Sequence, residues 1–393
     1  MIRLLHLGDI HPNNAATFAG KVVLDPETGL NQALSDLRLS LGFAYEVAIA
    51  PETRCQAALI TGDLFDSPRP HANEVRAIVD FVIRLADAMP VLIISGNHDI
   101  SQNPQDASAL ECLAGIPNVL MRERPASLRL TLEGTPVRFC LLPYPTKGRL
   151  LTQDAAQDAS PEQVTAIMND GLGKILRGFQ AELLVPGELS VLLGHGSVSN
   201  AQVGEQPRSL AHDILIPLQD AERFDYVALG HIHQGQQVGA NAWYSSSLMR
   251  QSFGEEHEAK GFNLVSLEAG QPARVAYIHN PYARTYRTLQ AVDLDDELLA
   301  QGLDPKVVYR FKESLTADDY QKIKPIVQEL QASVPFFQVD VELVSEDRAR
   351  DAGMAACLSM DQALIRSLAT VVEDTEIPFL VEKHQQLVQE VSA

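Results

Sequence analysis

The sequence predicts a mixed α/β fold: two packed β-sheets flanked by helices, followed by a small βαβ unit and C-terminal helices. Two observations carry that prediction. First, five apolar runs each end at a glycine beside a ligand-type residue: Leu4-Leu5 before Gly8-Asp9-Ile10-His11, Ala57–Ile60 before Gly62-Asp63, Val91–Ile94 before Gly96-Asn97-His98-Asp99, Val191–Leu193 before Gly194-His195, and Tyr226–Leu229 before Gly230-His231-Ile232-His233. Buried strands whose C-terminal ends carry polar groups into a cleft read this way. Second, helix-period and strand-period stretches alternate early in the chain and give way to strands later, the pattern of sheets covered by helices.

In chain order, residues 2–8 are the first strand and 12–30 a long loop containing the turn signal Asp25-Pro26-Glu27-Thr28-Gly29. Loops of that length are frequently functional. A helix is expected over 31–49, with Ala33, Leu37 and Leu41 on one face, and a second one carries Val75, Ile78, Val79, Val82 and Leu85 and stops at Pro90. A short helix at 107–115 precedes strands near 118–121, 127–132 and 136–142. Ser160-Pro161-Glu162-Gln163 opens a helix toward Leu184, with Ser as cap, Pro in the first turn and Gln three residues after the cap. Strands then follow at 188–193 and, beyond His233, near 242–246, 261–267 and 273–279.

The acidic stretch Asp293–Glu297 suggests a boundary. After it come a strand at Val307–Lys312, a helical stripe of Tyr320, Ile323, Val327 and Leu330 that Pro325 should bend or break, and an alternating strand at Phe337–Leu343. Residues 359–391 read as two short amphipathic helices, which dock either on the parent domain or on a partner helix. The domain boundaries read from the sequence are 1–290, 291–355 and 356–393.

Composition narrows the function. Apolar content of 46% and charged content of 21% describe a globular chain of 393 residues, and the formal net charge of −20 argues against a surface that grips nucleic acid unaided. Cys55, Cys112, Cys140 and Cys357 are widely spaced and form no metal or redox pair, so reduced thiols are expected. The first strand begins at Ile2, which leaves no room for a signal peptide, and no apolar run approaches a membrane span. A cytoplasmic protein without membrane contact is the expectation.

Asp9, His11, Asp63, Asn97, His195, His231 and His233 supply carboxylate, amide and imidazole donors. Residues at i and i+2 of an extended segment share a face, so Asp9 and His11 can serve one ion, while His231 and His233 can reach two adjacent ions. Asp63 is the natural shared ligand, because a carboxylate bridges two ions readily and an imidazole does not. Two ions about 3.5–4 Å apart clamp a phosphodiester and activate a water. Two divalent ions bring +4 against the two anions Asp9 and Asp63, so the site attracts phosphate although the chain is acidic. Mixed N/O donors without sulfur suit Mn, Fe or Zn.

His98 lies beside Asn97, where it could stabilise the transition state or protonate the leaving oxygen. Asp66 either orients His98 or caps the following helix. A single Gly-Asp or Gly-His is more often a turn than a site; the ordered set of five gives each its weight. His6, His71, His212, His257, His279 and His384 lack that context and default to structural or solvated roles. Arg69, Arg122, Arg124, Lys147, Arg149 and Arg250 are either polyanion contacts or ordinary surface.

These motifs resemble the calcineurin-like metallophosphoesterases and, more narrowly, the SbcD-type nuclease subunits of the DNA double-strand-break repair complex. The narrower likeness rests on Gly62–Asp66, Gly96–Asp99, Tyr226–His233, and Tyr244-Ser245-Ser246-Ser247-Leu248 running into Arg250–Glu255, a block that the metal chemistry does not require. The resemblance implies a four-layer fold, one ion on Asp9, His11, Asp63 and His233, a second on Asp63, Asn97, His195 and His231, and His98 as the catalytic histidine. It implies manganese-dependent exonuclease action on duplex ends and endonuclease action on single strands or hairpins. It also implies a DNA-capping domain near 300–345, and a helical element at 359–391 that binds the coiled-coil base of an SbcC-type ABC ATPase. A homodimer within a heterotetramer, associated with the nucleoid, is the expected assembly.

Three positions depart from the family pattern: Pro12-Asn13 follows His11 in place of Leu-Gly, Ser246 stands where Gly is common, and Asp66 stands where some members carry His. Two competing readings remain, a phosphatase or cyclic-nucleotide phosphodiesterase of the same superfamily and a non-enzymatic scaffold.

Overall fold

The computed structural model describes residues 1–13, 15–16, 22–101, 107–146, 160–182, 185, 187–202, 214–344 and 383. Apart from Lys383, the expected C-terminal helices at 359–391 lie outside the described residues, as do Lys147, Arg149, His212, Cys357 and His384.

The chain divides into two units, residues 1–287 with 306–308, and residues 288–305 with 309–393. One six-stranded sheet of the first unit is built from β1 (Ile2–Leu7), β2 (Ala57–Ile60), β3 (Val91–Ile94), β4 (Val119–Arg122), β11 (Gly261–Leu267) and β12 (Arg274–His279). Its strand order is β12-β11-β1-β2-β3-β4. The second six-stranded sheet comprises β5 (Ala126–Leu132), β6 (Thr135–Leu142), β7 (Leu189–His195), β8 (Tyr226–Gly230), β9 (Gln236–Gln237) and β10 (Ala242–Tyr244). Here the order is β5-β6-β7-β8-β10-β9.

Three apolar cores separate four layers. Leu4, Leu59, Leu92, Phe139, Val191 and Ala228 fill the space between the sheets. Helices α1 (Gln32–Ile49) and α2 (Ala72–Ala88) cover the outer face of the first sheet through Leu37, Leu41, Ile78 and Val82. Helix α3 (Pro161–Glu182) covers the second through Leu172 and Leu176. Because β2, β3, β7 and β8 are buried on both faces, they read as continuous apolar runs rather than alternating ones.

The start of α3 has the expected reciprocal cap: the Gln163 amide N–H donates to Ser160 Oγ (3.3 Å), and the Ser160 amide N–H donates to Gln163 Oε1 (2.8 Å). The short helix expected at 107–115 is a 3₁₀ turn over Ala109–Leu113.

In the second unit a short helix, α4 (Asp296–Gln301), precedes the expected βαβ arrangement. There β14 (Val308–Leu315) pairs in parallel with β15 (Phe337–Leu343) across helix α5 (Ala317–Ser333), with β13 (Tyr286–Leu289) as the third strand. Pro325 does not interrupt α5. The ring removes one backbone hydrogen bond, but the helix is capped by Thr316 at its start and pinned by buried Val327 and Leu330 after the proline, so packing outweighs the local loss. No helix among the described residues is long and apolar enough to cross a membrane.

Polar groups also cross the interior between the sheets, among them Asn263, whose side-chain amide donates to the Tyr244 carbonyl at 3.3 Å, and His6. His6 on β1 is fully buried, with Nδ1 2.8 Å from the Tyr226 hydroxyl and Nε2 3.2 Å from the Leu229 carbonyl of β8. A carbonyl only accepts, so Nε2 carries the proton and Nδ1 accepts from Tyr226. Burial pushes the His6 pKa down to about 3, against a weaker opposing effect of the Leu229 carbonyl. The neutral ring therefore contributes stability that is complete above pH 6.5, the ordinary value, and is lost as pH falls from there toward 3. Between pH 6.5 and 5 the loss should be about 2 kcal/mol. Urea unfolding at the two pH values should show a smaller decline for His6→Asn than for the unaltered chain. Equal declines would rule out His6 as the source.

Candidate metal centre

Three neighbouring strands of the first sheet, β1, β2 and β3, run parallel and end at Asp9/His11, Asp63 and Asn97/His98. Two neighbouring parallel strands of the second sheet, β7 and β8, end at His195 and His231/His233. All seven expected ligands thus stand at the C-terminal ends of strands, where the two sheets meet.

Among the described residues three donor groups result, and one of them, His11 with Asp66 and His98, lies at the open side. Asp9, His11 and His233 each offer an atom within 4.8 Å of the other two, and so do Asp63, His195 and His231. Asp63 links these last two groups through one atom: its Oδ2 is 3.5 Å from His11 Nε2 and 3.4 Å from His195 Nε2. Its Oδ1 is occupied separately, accepting the His98 amide N–H at 2.9 Å. Asn97 Oδ1 lies 3.0 Å from His195 Nε2 and 2.9 Å from His231 Nδ1, which places it in their group.

The donor chemistry fits divalent ions. His195 Nδ1 sits 2.7 Å from the Thr61 carbonyl and must carry the ring proton, leaving the Nε2 lone pair facing the acceptors of Asp63 and Asn97. His233 Nε2 and His11 Nε2 face each other at 3.2 Å. Lone pair against lone pair is repulsive in a neutral site. It is the arrangement expected of adjacent donors on one ion, which stand about 3 Å apart when each is about 2.1 Å from it. Burial opposes protonation of His195, but the carboxylates of Asp63 and Asp9 and the Thr61 carbonyl outweigh it and raise its pKa to about 9. Burial likewise opposes charge on Asp63, yet His195 and His11 hold its carboxyl well below the usual range.

The backbone is strained where the ligands sit. Asp9, His11, Asp63 and His231 have φ of 50°, 43°, 50° and 104°, a region that residues with a Cβ rarely adopt. Glycine permits the close approach of the loops: a Cβ on Gly96 would collide with the Asp63 carboxylate, and one on Gly62, at φ 92°, would collide with the His195 ring. Ser246 also adopts positive φ (81°), the conformation for which glycine is the easy choice, and its hydroxyl donates to the His233 carbonyl at 2.9 Å.

His98 and Asp66 stand at the open side. His98 Nδ1 donates to the main-chain carbonyl of Asp66 at 3.1 Å, while the Asp66 carboxylate lies 3.7 Å from that nitrogen and 3.3 Å from His11 Nδ1. Asp66 is not a helix cap. The cap of α2 is His71, whose ring accepts the Asn73 amide while Glu74 accepts the His71 amide. Arg250 donates from all three guanidinium nitrogens to the carbonyls of Glu255, Arg284 and Glu258, which makes it a clamp on a turn rather than free surface.

Two contributors were not singled out by sequence. Asp99 is buried and accepts backbone N–H groups from Gly96 (2.8 Å) and Phe65 (2.9 Å), tying the Asp63 loop to the Asn97 loop. Burial, with Asp63 adding to it, pushes the Asp99 pKa up to about 7. Its signal was its place in Gly-Asn-His-Asp. The second is Glu255, whose Oε1 is 2.7 Å from His233 Nδ1. The block around Arg250–Glu255, read from sequence as unnecessary to the metal chemistry, therefore reaches a candidate ligand directly.

The chain has relatives among known proteins. The SbcD subunit of the SbcCD nuclease of Staphylococcus epidermidis is 22% identical over 249 residues, covering 62% of this chain and 63% of that protein, so the chain spans less than two thirds of that relative. Among solved structures, TT1561 of Thermus thermophilus gives a TM-score of 0.38 at 15% identity, over 70% of this chain and 98% of that one. Residues 2–235, more than half of the chain, match the calcineurin-like phosphoesterase family, and the chain belongs to that family.

Proposed function

We propose that the chain is the nuclease subunit of a DNA double-strand-break repair complex, cutting duplex ends as an exonuclease and single strands or hairpins as an endonuclease. The observation that carries phosphodiester hydrolysis is the pair of donor groups sharing Asp63 Oδ2. The nuclease reading is supported by the Tyr244–Glu255 block and by the similarity to an SbcD protein.

Bound divalent ions, with manganese as the proposed pair, supply Lewis acidity at the phosphate and a nucleophilic water. The chain does the rest. Asp9, His11, Asp63 and His233 would hold one ion, and Asp63, Asn97, His195 and His231 the other. His98 keeps Nδ1–H on the Asp66 carbonyl and presents Nε2 to the open side, where its protonated form can give a proton to the departing oxygen. The Asp66 carboxylate is placed to balance the resulting charge.

The proposed organisation is a nuclease domain over 1–290, a DNA-capping domain over 291–355, and an element at 356–393 that binds an SbcC-type ABC ATPase in a cytoplasmic, nucleoid-associated heterotetramer. A net charge of −20 fits an enzyme whose partners supply much of the grip on DNA. The same charge favours a second reading, a phosphodiesterase for small substrates. Manganese-dependent cleavage of an end-labelled duplex, with and without the ATPase and alongside bis-p-nitrophenyl phosphate, separates them. Duplex cleavage is the expected result. Hydrolysis of the small diester with DNA left intact, even with the ATPase present, would replace the nuclease by the small-substrate enzyme.

A further inference from the structure

The site's imidazoles are backed unequally. His195 rests on a neutral main-chain carbonyl. His233 rests on a carboxylate, Glu255, and that carboxylate is one part of a buried charge cluster. Lys260 Nζ lies 2.7 Å from Glu255 Oε2 and 2.7 Å from Glu258 Oε2, with its side chain fully excluded from solvent. The same ammonium donates to the His233 carbonyl at 3.1 Å and to Ser247 Oγ at 3.0 Å. It therefore fixes the main chain of His233 directly and its ring through Glu255.

A buried lysine is costly unless paired, and here one ammonium meets two carboxylates. Arg250, drawn to the same two glutamates, balances the cluster, and Glu255 is the carboxylate of it that meets the His233 ring. A carboxylate accepting the far N–H of a ligating imidazole locks the tautomer and makes the metal-facing nitrogen a stronger donor. Locking His233 with the proton on Nδ1 leaves the lone pair on Nε2, the atom that faces His11.

We propose that Glu255 and Lys260 are positioning residues for the ion held by Asp9, His11 and His233. Glu255 orients and polarises the His233 ring, and Lys260 holds both Glu255 and the His233 main chain in register. Their influence falls on the ion that His233 would hold, because both residues reach His233 directly, Glu255 at the ring and Lys260 at the main-chain carbonyl. The inference rests on the reading of His233 as a metal ligand.

The test is a titration of the full-length, chelator-stripped protein with Mn²⁺ alone, followed by calorimetry and electron paramagnetic resonance. The unaltered chain should bind two ions. Glu255→Gln, which keeps volume and removes the charge, should weaken one ion about 10–100-fold and leave the other unchanged. Lys260→Met should weaken the same ion. Should it fail to fold, Glu255→Gln alone decides.

A second readout is the His233 Nδ1–H proton resonance, which should be far downfield in the unaltered chain and move upfield in Glu255→Gln. A role confined to stability would lower the melting temperature without selectively weakening one ion. Wild-type affinity for both ions in Glu255→Gln overturns the proposal while leaving the metal centre intact. Two ions bound at full affinity by His233→Ala would instead remove His233 from the ligand set, and this inference with it.

Discussion

Replacing Asp63 by asparagine should abolish hydrolysis, with a fall of about 10³-fold or more, and should weaken both ions together. The reason is orientation as well as charge. Oδ1 of Asp63 is required by the His98 amide N–H. An asparagine side chain must keep its single oxygen there, since the alternative sets donor against donor. Its NH₂ then occupies the place of Oδ2, between His11 Nε2 and His195 Nε2, and points hydrogens at both ion positions. The site loses its shared anion and gains two misplaced donors. A thousandfold loss corresponds to about 4 kcal/mol of transition-state stabilisation, the scale expected when a bridging ligand is removed. Manganese titration and diester hydrolysis measured on one preparation test it. Retention of a tenth of the activity, or loss of a single ion only, would contradict Asp63 as the bridge.

His98→Ala should separate chemistry from metal binding. His98 is exposed on one side and touches Asp63 through its main-chain N–H, which alanine retains. Both ions should therefore bind as before while DNA cleavage falls by about 10²–10⁴-fold, the usual weight of a general acid. The effect should depend on the leaving group. A p-nitrophenolate departs without protonation, so bis-p-nitrophenyl phosphate should lose much less rate than DNA. Equal losses on both substrates would point to transition-state charge stabilisation instead of proton donation. Loss of manganese would mean that the ring supports the ligands.

The scaffold of this site was legible because each ligand is local to a strand end. An apolar run, a glycine and a donor are adjacent in sequence, so β1, β2, β3, β7 and β8 and the seven donor-type residues at their ends could be read without knowing which sheet each strand joins. What escaped reading depends on contacts between distant residues. Glu255 meets His233 from 22 positions away, and nothing in the spacing says that a turn brings them together. Asp66 read equally as an orienting partner of His98 or as a helix cap, and the cap turns out to be His71, a residue rarely used there. Pro325 argued locally for a break that the packing of Val327 and Leu330 overrides. The left-handed backbone at Asp9, His11, Asp63 and His231 had no signature either, since aspartate and histidine do not announce positive φ as glycine does.

The split origin of the ligands gives the distant apolar interior a second duty. Asp9, His11, Asp63 and Asn97 ride on one sheet, and His195, His231 and His233 on the other. The alignment of the two sets is inherited from how Leu4, Leu59, Phe139 and Val191 interlock between the sheets. A slip of one layer against the other by a fraction of an ångström would leave every ligand present and every strand formed, yet detune the spacing across Asp63. The interior works as the gauge block of an instrument whose jaws are the two strand-end rows. Variation deep in that layer can thus alter turnover without touching a single group at the phosphate.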